Sequence, residues 1–274
     1  MNASLTDLHS TASARILPLD ASQLAHRVPA AFADRPADKT SSKYVFLSTK
    51  SLIDALLEAG FVATAANQSN SRRGSDPAYA RHMLRFQHPR ESVTLVDAIP
   101  QIVLINAHDG SSSYELRAGL YRPVCTNGLM VQLGDFGLIH LPHRGSIVRN
   151  VVGAALTMIR DFGRVGDVVR QMASFNLTQA QRLEFARRAL AVRYPHEQHQ
   201  PVTPEQVVFA RREADAGADV WTTYNVLQEN LMRGGLTGRS ATGRNTRTRT
   251  IEAIREDVRI NNCLWQLAMN LISA

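Results

Sequence analysis

The hydrophobic period changes once along this chain, near residue 146, and that change restricts the fold more than any other feature. Upstream, β-like runs of strand length alternate with turn residues; downstream, apolar residues recur at helical spacing. The β-like runs cover 61–68, 80–87, 101–107, 113–120 and 129–133. Turn-rich Ser69–Pro77 joins the first two, and His108-Asp-Gly-Ser-Ser112 joins the third and fourth. Short turns make neighbours antiparallel, so the N-terminal half is expected to form an antiparallel sheet of about four to six strands. A helical stripe, Leu52, Ile53, Leu56 and Leu57, precedes it and stops at Gly60. After residue 146 come the stripe Ile147–Ile159, a capping box at Thr178–Gln181 and a second at Thr203–Gln206 with Pro204 in its first turn. Two further helices are expected over about 218–233 and 250–272. The fold class is therefore α+β, a sheet packed with a helical C-terminal half. Residues 1–42, interrupted by Pro18, Pro29 and Pro36, read as a weakly ordered leader holding at most one short helix near 22–32. Residues 43–274 read as a single α+β domain, sheet-rich over 43–145 and helical over 146–274.

Charge then points to a partner. The 274 residues carry 31 Lys and Arg against 24 Asp and Glu, a formal charge of +7. No apolar run approaches the roughly 18–20 residues that span a bilayer. Only Cys125 and Cys263 are present, so a disulfide framework is excluded and a reducing cytoplasm is the expected compartment. A basic chain without a membrane segment has a polyanion as its first candidate partner, and nucleic acid is the commonest. The basic residues are almost all arginine, the better group for forked phosphate contacts.

The strongest anomaly is 233–249, with five arginines, four glycines, four threonines, one serine and no acid. Arginine supplies charge, glycine permits close backbone approach, and hydroxyls add hydrogen bonds to phosphate. It reads as a flexible loop between two helices, with Arg239, Arg244, Arg247 and Arg249 as candidate phosphate clamps; the bland alternative is an ordinary solvated loop. It is not a Walker A loop, because it lacks Gly-Lys-Ser/Thr and follows no strand. A second basic set is Arg182, Arg187, Arg188 and Arg193. A third is Arg72, Arg73, Arg81, Arg85 and Arg90, with Arg72 and Arg73 at a hairpin tip and Arg81 and Arg85 on one strand face, against the alternative of an ordinary solvent-facing sheet side. Tyr79, Phe86, Tyr114 and Tyr121 lie nearby and would either stack on bases or fill the core. Arg144, in His143-Arg-Gly-Ser146 before a helix, suits an anion-binding loop, unless Ser146 simply caps that helix.

Metal and nucleophile readings are weaker. His140-x-x-His143 and His196-x-x-His199 match no zinc signature, so no metal and no cofactor are expected. Cys125 lacks a Cys–His motif and reads as buried. Trp221, Tyr224, Asn225 and Gln228 share a helical face, suited to a polar helix–helix contact or a ligand surface.

Residues 106–114, 122–128, 142–145, 199–203 and 234–265 together resemble the YubP/YafZ-like family of plasmid-, phage- and prophage-encoded proteins of unknown function, from about residue 20 onward. The resemblance implies a mobile genetic element and carries over no catalytic residues. With the basic segments it makes single-stranded DNA binding or annealing the expected function, with a homo-oligomer expected for an annealing protein. Two alternatives are a protein-binding inhibitor of a host defence or repair system and a metal-dependent enzyme acting on nucleic acid.

Overall fold

A computed structural model describes residues 17–41, 44–69, 76–90, 95–124, 127–141, 147–195 and 199–273. Among these the main sheet has six strands: β1 (Val62–Gln68), β2 (His82–Gln87), β3 (Ile99–Asn106), β4 (Tyr114–Arg122), β5 (Asn127–Met130) and β6 (Leu138–Leu141). Every pairing is antiparallel, in the order β1-β2-β3-β4, and β4 then pairs β5 through its last residues and β6 through its first. The short turns expected from the sequence produce this meander. The β6 strand escapes the sequence reading because it is only four residues long and crowded by Gly134, Gly137 and Pro142.

Helices cover both faces of the sheet. On one face Leu84, Phe86, Leu104, Leu116 and Ala118 join a core continuous with α1 (Ala21–Arg27), α2 (Thr49–Glu58), α3 (Ile147–Arg160) and α4 (Gly163–Ser174). On the other, Met83, Val103, Ile105 and Met130 pack on Ile254, the first residue of α8 (Ile254–Ser273). The remaining helices are α5 (Gln179–Arg193), α6 (Pro204–Val207) and α7 (Val220–Arg233). Both expected capping boxes form: the Thr178 and Thr203 side chains accept from the amides of Gln181 and Gln206, which bond back. Helix α7 is buried around nearly its whole circumference and runs through the centre of the helical half. Its Gln228 donates to Asn261 of α8 at 3.2 Å, so this polar stripe is a helix–helix contact.

Two expectations are revised. The leader boundary at residue 42 falls too late. Asp20 caps α1 through a capping box, and Leu24, Val28, Ala30 and Ala31 are buried in the core. Capping outweighs the helix-breaking prolines here, because Pro29 opens a 3-10 turn, where its missing amide costs nothing. Arg85 is not on a solvated basic face. It is buried, and its guanidinium donates to the carbonyls of Leu129 and Gly128 at 3.1 Å each. Gly128 and Gly119 make the room: a Cβ on Gly128 would stand 2.6 Å from the Arg85 guanidinium carbon. Covering of the second sheet face by α8 is what internalises Arg85.

One charged network ties the halves together. Asp97 accepts from Trp221 Nε1 of α7 at 2.8 Å and from Arg122 at the end of β4. Arg122 also meets Asp215, which pairs with Arg212; Arg212 and Arg233 then share Glu229 at 2.6 and 3.0 Å. Asp215, Glu229 and Arg122 are buried. Asp97 sits in a tight turn whose Val96 has φ +58°, a left-handed conformation that β-branched residues resist.

Candidate functional site

The arginine-rich segment 233–249 is not an irregular loop. It folds into a two-stranded antiparallel ribbon, β7 (Thr237–Arg239) and β8 (Asn245–Arg247), with Thr237 opposite Arg247 and Arg239 opposite Asn245. Strand alternation then sorts the residues. Thr237, Arg239, Asn245 and Arg247 are exposed; Gly238 and Thr246 between them are half-buried. Gly238 lies against the backbone of Pro201, closer than any Cβ could approach. The glycine therefore serves docking, and the arginines are left on the outer face.

Docking is tight at several points. The Arg239 amide donates to Pro201 O at 2.9 Å, His199 Nε2 donates to Arg239 O at 2.8 Å, and Gln206 Nε2 donates to Thr237 O at 2.8 Å. Below the ribbon, Arg211 donates to Gly234 O at 2.6 Å and Thr250 to Arg233 O at 2.8 Å. Arg244 lies in the turn and Arg249 just past β8, both exposed. Among the described residues none of Arg239, Arg244, Arg247 and Arg249 is in an ion pair.

The structure brings one member of the second basic set to the ribbon. Arg193, at the end of α5, donates to Arg249 O at 3.3 Å. Arg187 and Arg188 are exposed but share Glu184, whose carboxyl they hold below the usual range by hydrogen bonding. Arg72, Arg73 and Arg144 lie outside the described residues, as do Cys125 and His143. The described flank of the first turn does reach the start of α8: Ser69 Oγ accepts from the Ile254 amide at 3.5 Å. Arg81 and Arg255 converge on one carbonyl, that of Ser111, at 3.1 and 3.2 Å. Burial and neighbouring Arg255 both hold the Arg81 guanidinium below its usual pKa.

Histidines gather elsewhere. Thr49, His82, Asn106, His108 and Tyr114 form a fully buried polar cluster between α2 and the sheet. The Ala80 carbonyl lies 3.0 Å from His82 Nδ1 and can only accept, which puts the proton on Nδ1. His82 Nε2 then accepts from the Thr49 hydroxyl at 3.0 Å. With that hydroxyl proton committed, His108 Nε2 and Asn106 Nδ2 both donate to Thr49, at 3.1 Å each. Tyr114 donates to Leu47 O. Burial drives His82 down to about 3, so it is neutral. The Thr–His pair has the polarity of an activated nucleophile, but it is sealed from solvent and works here as a clasp between α2 and the sheet. Among the described residues no group of three or more His, Cys, Asp or Glu is placed to hold a metal ion.

Comparison with known proteins fits these placements into a family. Residues 37–265 match DUF932, described as a domain of unknown function. This chain belongs to the DUF932 family. The chain is also 38% identical over 256 residues to two Escherichia coli (strain K12) proteins, UPF0380 protein YfjQ and UPF0380 protein YafZ, an alignment covering 93% of this chain and 92% of each relative. No solved structure matches it. The DUF932 match takes in the main sheet, the buried clasp and the arginine ribbon alike. Among the described residues no helix is long and apolar enough to cross a membrane.

Two parts of this candidate site escaped the sequence reading. The ribbon was hidden because strands of three residues give no readable alternation. The other is Phe209, which is 76% exposed beside a cleft at the start of α5. A lone phenylalanine flanked by Val207, Val208 and Ala210 reads as core, and nothing in its spacing separates it from core.

Proposed function

We propose that this chain binds single-stranded nucleic acid, DNA in the first instance, in the processing of a mobile element's genome. The observation that carries the reading is the outer face of the β7–β8 ribbon. Arg239 and Arg247 sit diagonally across it, about 7–8 Å apart at Cα by strand geometry. Arg244 and Arg249 extend the same charge at either end, and Arg193 at the end of α5 joins it at the Arg249 carbonyl. Cations without acidic partners are free to displace counterions from a phosphate backbone. The two-stranded ribbon is docked on the body, so its arginines are presented together. The mobile-element setting rests on the resemblance to a family of plasmid-, phage- and prophage-encoded proteins.

The test is fluorescence anisotropy with a labelled single strand of about 20 nucleotides and its duplex, from ~50 to ~300 mM salt. Single-strand binding with a steep negative salt slope is expected. Replacing Arg244, Arg247 and Arg249 together by Ala should weaken it at least tenfold, about 1.4 kcal/mol. Unchanged affinity in that variant removes the ribbon from the site. No binding at low salt ends the reading and directs the search to a protein partner.

A further inference from the structure

Beside the ribbon lies an open cleft of about 590 Å³, within the range of small-ligand sites. Gln179 and Arg182 of α5, Glu205 of α6, and Phe209 and Arg211 of the following loop line it. Two features set it apart from an ordinary surface dip. First, Phe209 is exposed on a loop that is firmly held. Buried Asn230 of α7 donates to the carbonyls of Val207 and Phe209 at 2.8 and 3.0 Å. The same side chain accepts from Arg211 Nε at 2.6 Å. Arg212 is pinned by Asp215 and Glu229. The backbone on both sides of Phe209 is therefore fixed, and its ring is displayed as a rigid platform. Second, Arg182 is half-buried in the cleft wall and is in no ion pair among the described residues. A cation on a cleft wall without an acidic partner is open to an anionic ligand.

The Phe209 loop is also part of the ribbon's mount. Gln206, before Phe209, bonds Thr237; Arg211, after it, bonds Gly234. An aromatic platform and a track of free arginines are thus carried on one rigid unit. Stacking platforms beside basic grooves are how proteins hold single strands without reading sequence.

We propose that this cleft takes one unpaired nucleobase, stacked on the Phe209 ring, with an adjoining phosphate at Arg182; the proposal rests on the single-strand reading above. A duplex cannot fill the cleft without unstacking a base, so the cleft is what discriminates single from double strand. Glu205 and Gln179 offer acceptors to the base edge, while the carboxylate keeps phosphate on the arginine side.

The experiment compares wild type, Phe209→Ala and Phe209→Trp with a labelled single strand, its duplex, and an abasic strand of equal length. Phe209→Ala should weaken single-strand binding at least fivefold, about 1 kcal/mol, the lower end of one base–aromatic stack. It should leave duplex and abasic affinities unchanged. Phe209→Trp should keep the single-strand affinity, and the introduced indole should be quenched when the strand is added. Wild-type affinity in Phe209→Ala, at a salt where the triple arginine variant has lost binding, overturns the cleft and leaves the ribbon standing. An equal loss on the abasic strand overturns stacking. Failure of the wild type to bind any strand overturns the single-strand reading itself.

Discussion

His82 shows how one side chain's surroundings become a property of the protein. Its folded pKa, near 3, lies well below the unfolded value near 6.5, because burial penalises the imidazolium. The unfolded chain therefore binds the extra proton first. The stabilisation is complete above about pH 6.5 and is lost progressively as pH falls toward 3. One unit below the unfolded pKa, about 1.4 kcal/mol should be gone. Urea midpoints at pH 7.5 and 5.5 should fall further apart in the wild type than in His82→Gln; equal pH dependence in the two would remove His82 as the cause. The cluster around it was only partly legible in the sequence. Strand alternation puts His82 and Leu84 opposite Arg85, as observed, but nothing in the sequence brings Thr49 of α2 to His82 and His108. That meeting depends on how a helix lies across a sheet.

At the scale of elements, the helix starts were the most legible features. Thr178 and Thr203 announce their helices because a capping box is local chemistry: one side chain, one amide, three residues apart. The strands were legible where turns were strong. The β7–β8 ribbon was not, since its conformation comes from what it rests on. That dependence can be tested at Gly238. Gly238→Ala would push a methyl group into the Pro201 carbonyl and lift the ribbon from its mount. Amide exchange across 237–247 should rise at least tenfold, with α7 and the main sheet little changed. Unaltered exchange would show that the ribbon stands without its mount. The same change should weaken single-strand binding, because the arginines would lose their common orientation. Helix α4 was missed for a different reason: Gly163 and Gly166 interrupt its first turn and mask the Val165, Val169 and Met172 stripe.

For the whole molecule, the network through Asp97, Arg122, Asp215, Arg212 and Glu229 crosses from the sheet to α7. A buried charge keeps its place only while its partners remain. Removing one typically costs about 3–5 kcal/mol, because the others are left unpaired. Arg122→Ala should lose that amount in chemical denaturation and still unfold in one transition, since the hydrophobic core runs unbroken through both halves. A two-step transition would show that the halves are stable apart, joined chiefly by this network. The α+β class was readable because periodicity reports each half separately. The network was not, because its members are scattered from Asp97 to Arg233 and each alone reads as a surface charge.

The docked ribbon has one last consequence. A flexible arginine tail would adapt to any polyanion and count only total charge. Here backbone hydrogen bonds fix Arg239 and Arg247 at a set separation, so the ribbon behaves as a ruler. On the proposed single-strand reading, it should favour anions whose charges recur at its own spacing along a flexible chain. On that reading, polyanions of equal charge but different pitch should have to bend to fit, and the strain of bending would tell them apart.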